Sequence, residues 1–195
     1  MSKLKFFYGV MGGGKTTELI KTYDIYKRKN MNPLIIKPQI DDREGKQIGW
    51  GTTSSRITAE QVPAYYFKNL QDELFTLDFG VILVDEAQFL TNDDVILLSE
   101  VVDKKDISVI AYGLKTDING HLFPGAASLL ALADETKELE SLCNTPTCKE
   151  KAIMHLRYIN GQIDLSGNQV AIEKNNITYT SVCRKCWKKA HENNR

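Results

Sequence analysis

No stretch of this chain approaches the ~18 consecutive apolar residues of a membrane-spanning helix, so no membrane association is expected. The N-terminal MSKLKFFYGV leads straight into a glycine cluster without a cleavable apolar segment, and a cytoplasmic protein is expected. Charge of one sign is also missing. Lys plus Arg and Asp plus Glu number 25 each, with no long single-sign run, which leaves no basic field for a nucleic-acid backbone. Internal repeats and low-complexity tracts are absent. Cysteine is scarce: four residues in 195, all late in the chain, which excludes a disulfide-dense extracellular scaffold. A chain of this length buries one good core and leaves room for a small appendage, but hardly for two full domains.

Glycine is concentrated where it matters. Residues 9–16 read GVMGGGKT, a complete G-x-x-x-x-G-K-[ST] phosphate loop, after the apolar run Leu4–Tyr8 and before a helical pattern. Gly9, Gly12, Gly13 and Gly14, with Val10 and Met11 between them, let the chain fold back so that successive N–H groups surround a polyphosphate at a helix N-terminus. Lys15 places a positive charge against the β- and γ-phosphates. The Thr16 hydroxyl is positioned for the magnesium that bridges them.

Apolar periodicity predicts a helix over 17–30, a short buried strand at 34–37, a long working loop over 38–63 and a short helix at 70–77. A continuous aliphatic strand follows at 81–84, then a helix over 91–102 and another buried strand at 107–111. This alternation predicts an α/β fold of the phosphate-loop nucleotide-binding type, with a parallel sheet and helices on both faces. From about residue 135 short alternating runs (137–142, 153–158, 169–173, 177–182) suggest hairpins. The expected division is therefore a nucleotide-binding domain over 1–134 and a small zinc-ribbon-like domain over 135–195.

Two constellations carry further chemistry. Asp85-Glu86 directly follows the aliphatic strand 81–84, where a phosphate-loop protein carries its magnesium-site carboxylate. Asp85 suits the metal, through water, and Glu86 is the candidate base for an attacking hydroxyl near the γ-phosphate. Cys143-x4-Cys148 and Cys183-x2-Cys186 form two knuckles with the donors for one tetrahedral zinc. Four thiolates leave no open coordination position, so the ion is structural and stands in for a core the small module lacks. His121, His155 and His191 complete no ligand set with the cysteines and lie beside no candidate nucleophile, so none is assigned a role.

GVMGGGKT, IDDR at 40–43, VILVDEAQFL at 81–90, GLKTDINGHLFPG at 113–125 and YTSVCRKCW at 179–187 together resemble the type II thymidine kinases over nearly the whole length. The likeness implies transfer of the γ-phosphate of ATP to the 5′-hydroxyl of thymidine in nucleoside salvage for DNA synthesis. Glu86 then acts as base, Thr16 and Asp85 as the magnesium residues, and Gln88, Asp41 and Arg43 join the ATP site. It implies a zinc-bearing lasso domain closing over thymidine. Met11, Phe89 and Leu114 match the base pocket, with Ile118 assigned to the thymidine site at a position that departs from the family; Gln169, Ala171 and Glu173 match the segment that embraces the sugar, and Tyr179 an aromatic near the substrate. Thymidine triphosphate as feedback inhibitor and a homotetramer are further implications. The chain has Ile118 and Asn119 where the family usually has phenylalanine and arginine, and Glu173 and Lys174 where it favours two glycines. Isoleucine covers a pyrimidine face without the stacking of a ring.

Two rival readings differ in class. A zinc-ribbon ATPase driven by a macromolecular partner needs a basic docking face, and a neutral chain shows none. A catalytically idle deoxynucleotide sensor, motivated by the substitutions at Ile118, Asn119, Glu173 and Lys174, is the other; phosphate transfer to thymidine, once measured, would dismiss it.

Overall fold

Aliphatic runs buried on both sides build the centre of this molecule. The computed structural model describes residues 1–39, 48–164 and 176–193. A seven-stranded sheet contains β1 (Leu4–Gly9), β2 (Pro33–Pro38), β3 (Gly49–Ser54), β4 (Gln61–Phe67), β5 (Val81–Val84), β6 (Ser108–Gly113) and β7 (Glu135–Leu139), in the order β3-β4-β2-β5-β6-β1-β7. Every pairing is parallel except β3 with β4. The helix α1 (Lys15–Arg28) packs Leu19, Ile20 and Tyr23 on one face, against Ile35, Leu83 and Ile110. On the other face lie α2 (Leu70–Glu73), α3 (Asn92–Lys105) and α4 (Pro124–Leu132), whose Leu70, Val95, Leu98, Val101 and Leu129 meet Phe6, Ile82, Val84 and Val109. The expected α/β class and its helices on both faces are thus present.

Local chemistry sets the helix ends. Thr91 caps α3 in a reciprocal box with Asp94, and Pro124 opens α4, where its missing N–H costs nothing. Among the described residues no helix is long and apolar enough to cross a membrane.

Two expectations need correction. Of the loop expected over 38–63, residues 40–47 lie outside the described residues, but β3 and the start of β4 form an antiparallel pair at the sheet edge. Gly49, Trp50, Gly51 and Thr52 of β3 are mostly exposed, so no apolar alternation marks the strand. The segment expected to begin a hairpin at 137–142 instead supplies β7, parallel to β1. Its ETKEL sequence suits a charged edge, and Glu135 pairs with Lys3 and Lys5 of the β1 segment.

A second, antiparallel sheet follows: β8 (Met154–Ile159), β9 (Gln162–Ile163) and β10 (Ile177–Val182), in the order β10-β8-β9. The helix α5 (Arg184–Glu192) closes the chain, capped by the Cys183 sulfur. The strand expected at 169–173 lies outside the described residues.

Candidate functional site

Gly9 ends β1, and six residues later α1 begins at Lys15. The turn between them needs glycine at Gly14, whose φ of 78° lies in the left-handed region. Among the described residues no side chain caps α1, which leaves its first amides available to an anion. Lys15 Nζ donates to the Val10 carbonyl at 2.8 Å. Burial lowers the Lys15 pKa, against the opposing charges of Glu86 and Asp85.

Two strands away, β5 is buried at all four positions and delivers Asp85 at its carboxyl end, itself only 2% exposed. A buried carboxylate must be paired, and this one is. Asp85 Oδ2 accepts from Thr53 Oγ1 at 2.6 Å and from Lys37 Nζ at 3.3 Å, while Oδ1 accepts from the Glu86 N–H at 3.1 Å. Burial works to lower the Lys37 pKa, but Asp85 and Glu86 outweigh it and the value is raised. Thr16 Oγ1 lies 3.5 Å from Asp85 Oδ1. These are two hard oxygens within a small adjustment of the ~3 Å edge of an octahedral magnesium shell, so the donors fit that ion.

Glu86 sits in the left-handed region, with φ 54° and ψ 39°. For a residue with a Cβ this costs roughly 1–3 kcal/mol, a strain that local contacts must hold. Those contacts come from Gln88, in the 3-10 turn Ala87–Phe89. Gln88 Nε2 donates to Glu86 Oε2 at 2.6 Å, and its Oε1 accepts from the Leu114 N–H at 2.9 Å. Gly113 allows the approach: a Cβ there would meet Gln88 N at 2.8 Å and Gln88 Oε1 at 2.9 Å. Lys15, Thr16, Asp85 and Glu86 line one cleft of about 440 Å³ with Met11 and Leu114. It combines an anion cradle, two metal-suited oxygens and an oriented carboxylate.

The four cysteines converge. The sulfurs of Cys143, Cys148, Cys183 and Cys186 lie within 4.8 Å of one another, and those of Cys148 and Cys183 are 3.9 Å apart. A tetrahedron with zinc–sulfur bonds of ~2.3 Å has edges of ~3.8 Å, so the set fits zinc. The thiols also share their protons unevenly. Burial opposes ionisation of Cys143, but hydrogen bonds from Thr145 and the Cys183 backbone bring its pKa to about 6. A Glu150 backbone hydrogen bond works to lower Cys148, yet burial and the neighbouring thiols push it up to about 12.

A family model described as Thymidine kinase matches residues 2–187. The chain belongs to the thymidine kinase family. Its relatives carrying that name include proteins of Legionella pneumophila (strain Paris), 40% identical over 97% of this chain and 90% of the relative, and of Rhodopirellula baltica, 42% identical over the same shares. A third, from Vibrio cholerae, is 41% identical over 97% of this chain and 98% of its own. The resemblance drawn from the motifs is therefore borne out, and the chain is a member of an enzyme family.

Positions carried over from the thymidine kinase likeness separate in space. Met11 and Leu114 line the cleft. Phe89 packs edge-on against Phe123 at 5.7 Å between ring centres. Ile118 is buried, its carbonyl accepting from Trp187 Nε1 at 2.9 Å, and Tyr179 stands on β10 opposite Arg157. Gln88 serves Glu86 and Leu114. Asp41, Arg43, Gln169, Ala171, Glu173 and Lys174 lie outside the described residues. Sequence reasoning missed Lys37 and Thr53, which hold Asp85, and also His155 and Ser181, which reach the phosphate loop. The only signal for the latter two was polar alternation in MHLRY and TYTSV.

Proposed function

We propose that this protein is an ATP- and magnesium-dependent thymidine kinase of nucleoside salvage that forms thymidine monophosphate. The observation that carries the reading is the shared cleft: Lys15, Thr16 and Asp85 face it together with Glu86, whose carboxylate Gln88 holds in a strained backbone position. Loose phosphoryl-transfer transition states require alignment and compensated oxygens more than covalent help. The phosphate-loop amides and Lys15 cradle the polyphosphate. Thr16 and Asp85 would hold a magnesium ion, which would supply charge neutralisation at the phosphate oxygens. Glu86 accepts the proton of the thymidine 5′-hydroxyl as that oxygen attacks the γ-phosphorus, and ADP leaves.

Met11 and Leu114 form the apolar side of the thymine pocket; Phe89, Ile118, Tyr179, Gln169, Ala171 and Glu173 complete the nucleoside site by family likeness, and Asp41 and Arg43 the phosphate end. The cysteines hold a structural zinc in a module closing over the nucleoside. Thymidine triphosphate acts as the end-product inhibitor of a cytoplasmic homotetramer, again by likeness.

A nucleoside panel with γ-labelled ATP tests the reading. Label moves to thymidine, and Glu86→Gln lowers kcat by roughly 10²–10⁴ while ATP affinity stays within about twofold. Full turnover in that variant removes Glu86 from the base role. ATP hydrolysis without transfer to any nucleoside overturns the kinase assignment.

A further inference from the structure

The small sheet has two unlike faces. Leu156 and Val182 pack with Cys143 and Cys183 in its apolar cluster. Strand alternation puts His155 and Arg157 of β8, and Tyr179 and Ser181 of β10, on the opposite face. His155 and Ser181 are directly paired across the strands and buried, at 3% and 4% exposure. Both reach the same residue of the phosphate loop. The Met11 N–H donates to His155 Nε2 at 3.0 Å, and Ser181 Oγ donates to the Met11 carbonyl at 2.8 Å.

This grip falls immediately before Gly12, Gly13 and Gly14, the stretch with the most backbone freedom to lose when a polyphosphate binds. Fixing both polar groups of Met11 beforehand lowers that cost, as preorganisation generally does. An Nε2 acceptor requires a neutral ring. Burial and then the charge of Lys15 hold the His155 pKa down to about 4, against the hydrogen bond with the Thr116 backbone and the charge of Asp117.

We propose that His155 and Ser181 are positioning residues of the phosphate loop, a cross-strand clamp by which the cysteine-bearing sheet sets the loop's conformation for ATP. The proposal rests on the phosphate-binding reading above and adds the residues that tune it. Neither side chain touches the reacting atoms in this scheme; both act through Met11.

The test uses the full-length, metal-replete protein, with calorimetric ATP binding and amide hydrogen exchange of segment 9–16 measured side by side. His155→Ala weakens ATP binding about tenfold and speeds exchange of the segment roughly fivefold or more. Ser181→Ala, a smaller truncation, shifts both in the same direction. His155→Gln, whose amide oxygen also accepts from the Met11 N–H, recovers most of each loss, which a bulk packing role would not predict. Exchange and ATP affinity within about twofold of wild type in both truncations overturn the clamp, as does a glutamine variant no better than alanine. Wild-type protein that fails to bind ATP rejects the phosphate-site reading instead, and the exchange comparison still decides whether the clamp orders the loop.

Discussion

Lowering the pH from 7 to 5 should destabilise the fold by about 2 kcal/mol through His155 alone. In the unfolded chain the imidazole titrates near its ordinary value of 6.5, whereas in the fold burial, followed by the charge of Lys15, keeps it neutral down to about 4. Asp117 and the Thr116 backbone face the ring and work the other way, without closing the gap. Between those two values the unfolded chain binds a proton that the native state refuses, so stability falls as the pH falls through 6.5 and the loss levels off near 4. The whole interval corresponds to about 3 kcal/mol at ~1.4 kcal/mol per unit, with about 2 kcal/mol already lost at pH 5. Urea unfolding at several pH values measures it, read from tryptophan fluorescence: Trp50 is already 65% exposed in the fold, so the change comes chiefly from Trp187, whose indole N–H bonds the Ile118 carbonyl and reports on the docked small sheet. Carboxylates and cysteines titrate in the same experiment. The informative quantity is therefore the difference between wild type and His155→Gln, which carries no ionisable ring. The two stability curves should converge by about 2 kcal/mol between pH 7 and 5 relative to their separation at neutrality; curves that stay parallel refute the reasoning.

Lys37→Met removes the cation beside Asp85 but leaves the Thr53 hydrogen bond, and Lys37 retains 18% side-chain exposure, so the cost should be about 2 kcal/mol, below that of a fully buried pair. Urea midpoints check this, and added magnesium should recover part of the loss; an unchanged midpoint contradicts the assigned pairing. Gly113→Ala should cost about 1–3 kcal/mol and lower kcat more than it weakens ATP binding, because the new Cβ meets the Gln88 backbone and amide that orient Glu86. Equal loss in both kinetic terms, or none, argues against that route to the carboxylate.

Contiguous chemistry was readable in advance. The phosphate loop confines its cradle, cation and hydroxyl to eight residues, and Val81–Val84 leads directly into Asp85-Glu86, so local spacing specified both halves of the cleft. Strands buried on both faces were readable for the same reason, since Val109–Ala111 has no polar alternative. Edge strands hid. Gly49–Ser54 and Glu135–Leu139 meet solvent along much of their length, and their polar residues match turns or surface loops as well as strands. The partners of Asp85 hid more deeply, because Thr53 and Lys37 lie 32 and 48 residues before it and each is a single polar residue with no motif around it. Sheet order alone brings them to one carboxylate.

The small sheet raises a physical question that the cysteines answer. Three short strands cannot bury enough apolar surface to hold themselves, and their cluster contains few large aliphatic side chains beyond Leu156 and Val182. Four sulfurs within bonding reach of one ion would supply the missing constraint once zinc is bound, and Cys183 fixes the direction of α5 by accepting from the Cys186 N–H at 3.4 Å. Trp187, one residue later, then donates to Ile118 and ties the helix to the segment after Leu114. Rigidity gained on the cysteine face is thus available on the polar face, where His155 and Ser181 meet Met11. A metal-suited cluster away from Glu86 can therefore influence the proposed phosphate site through a strand pair one residue thick, without any conformational switch between the two sites.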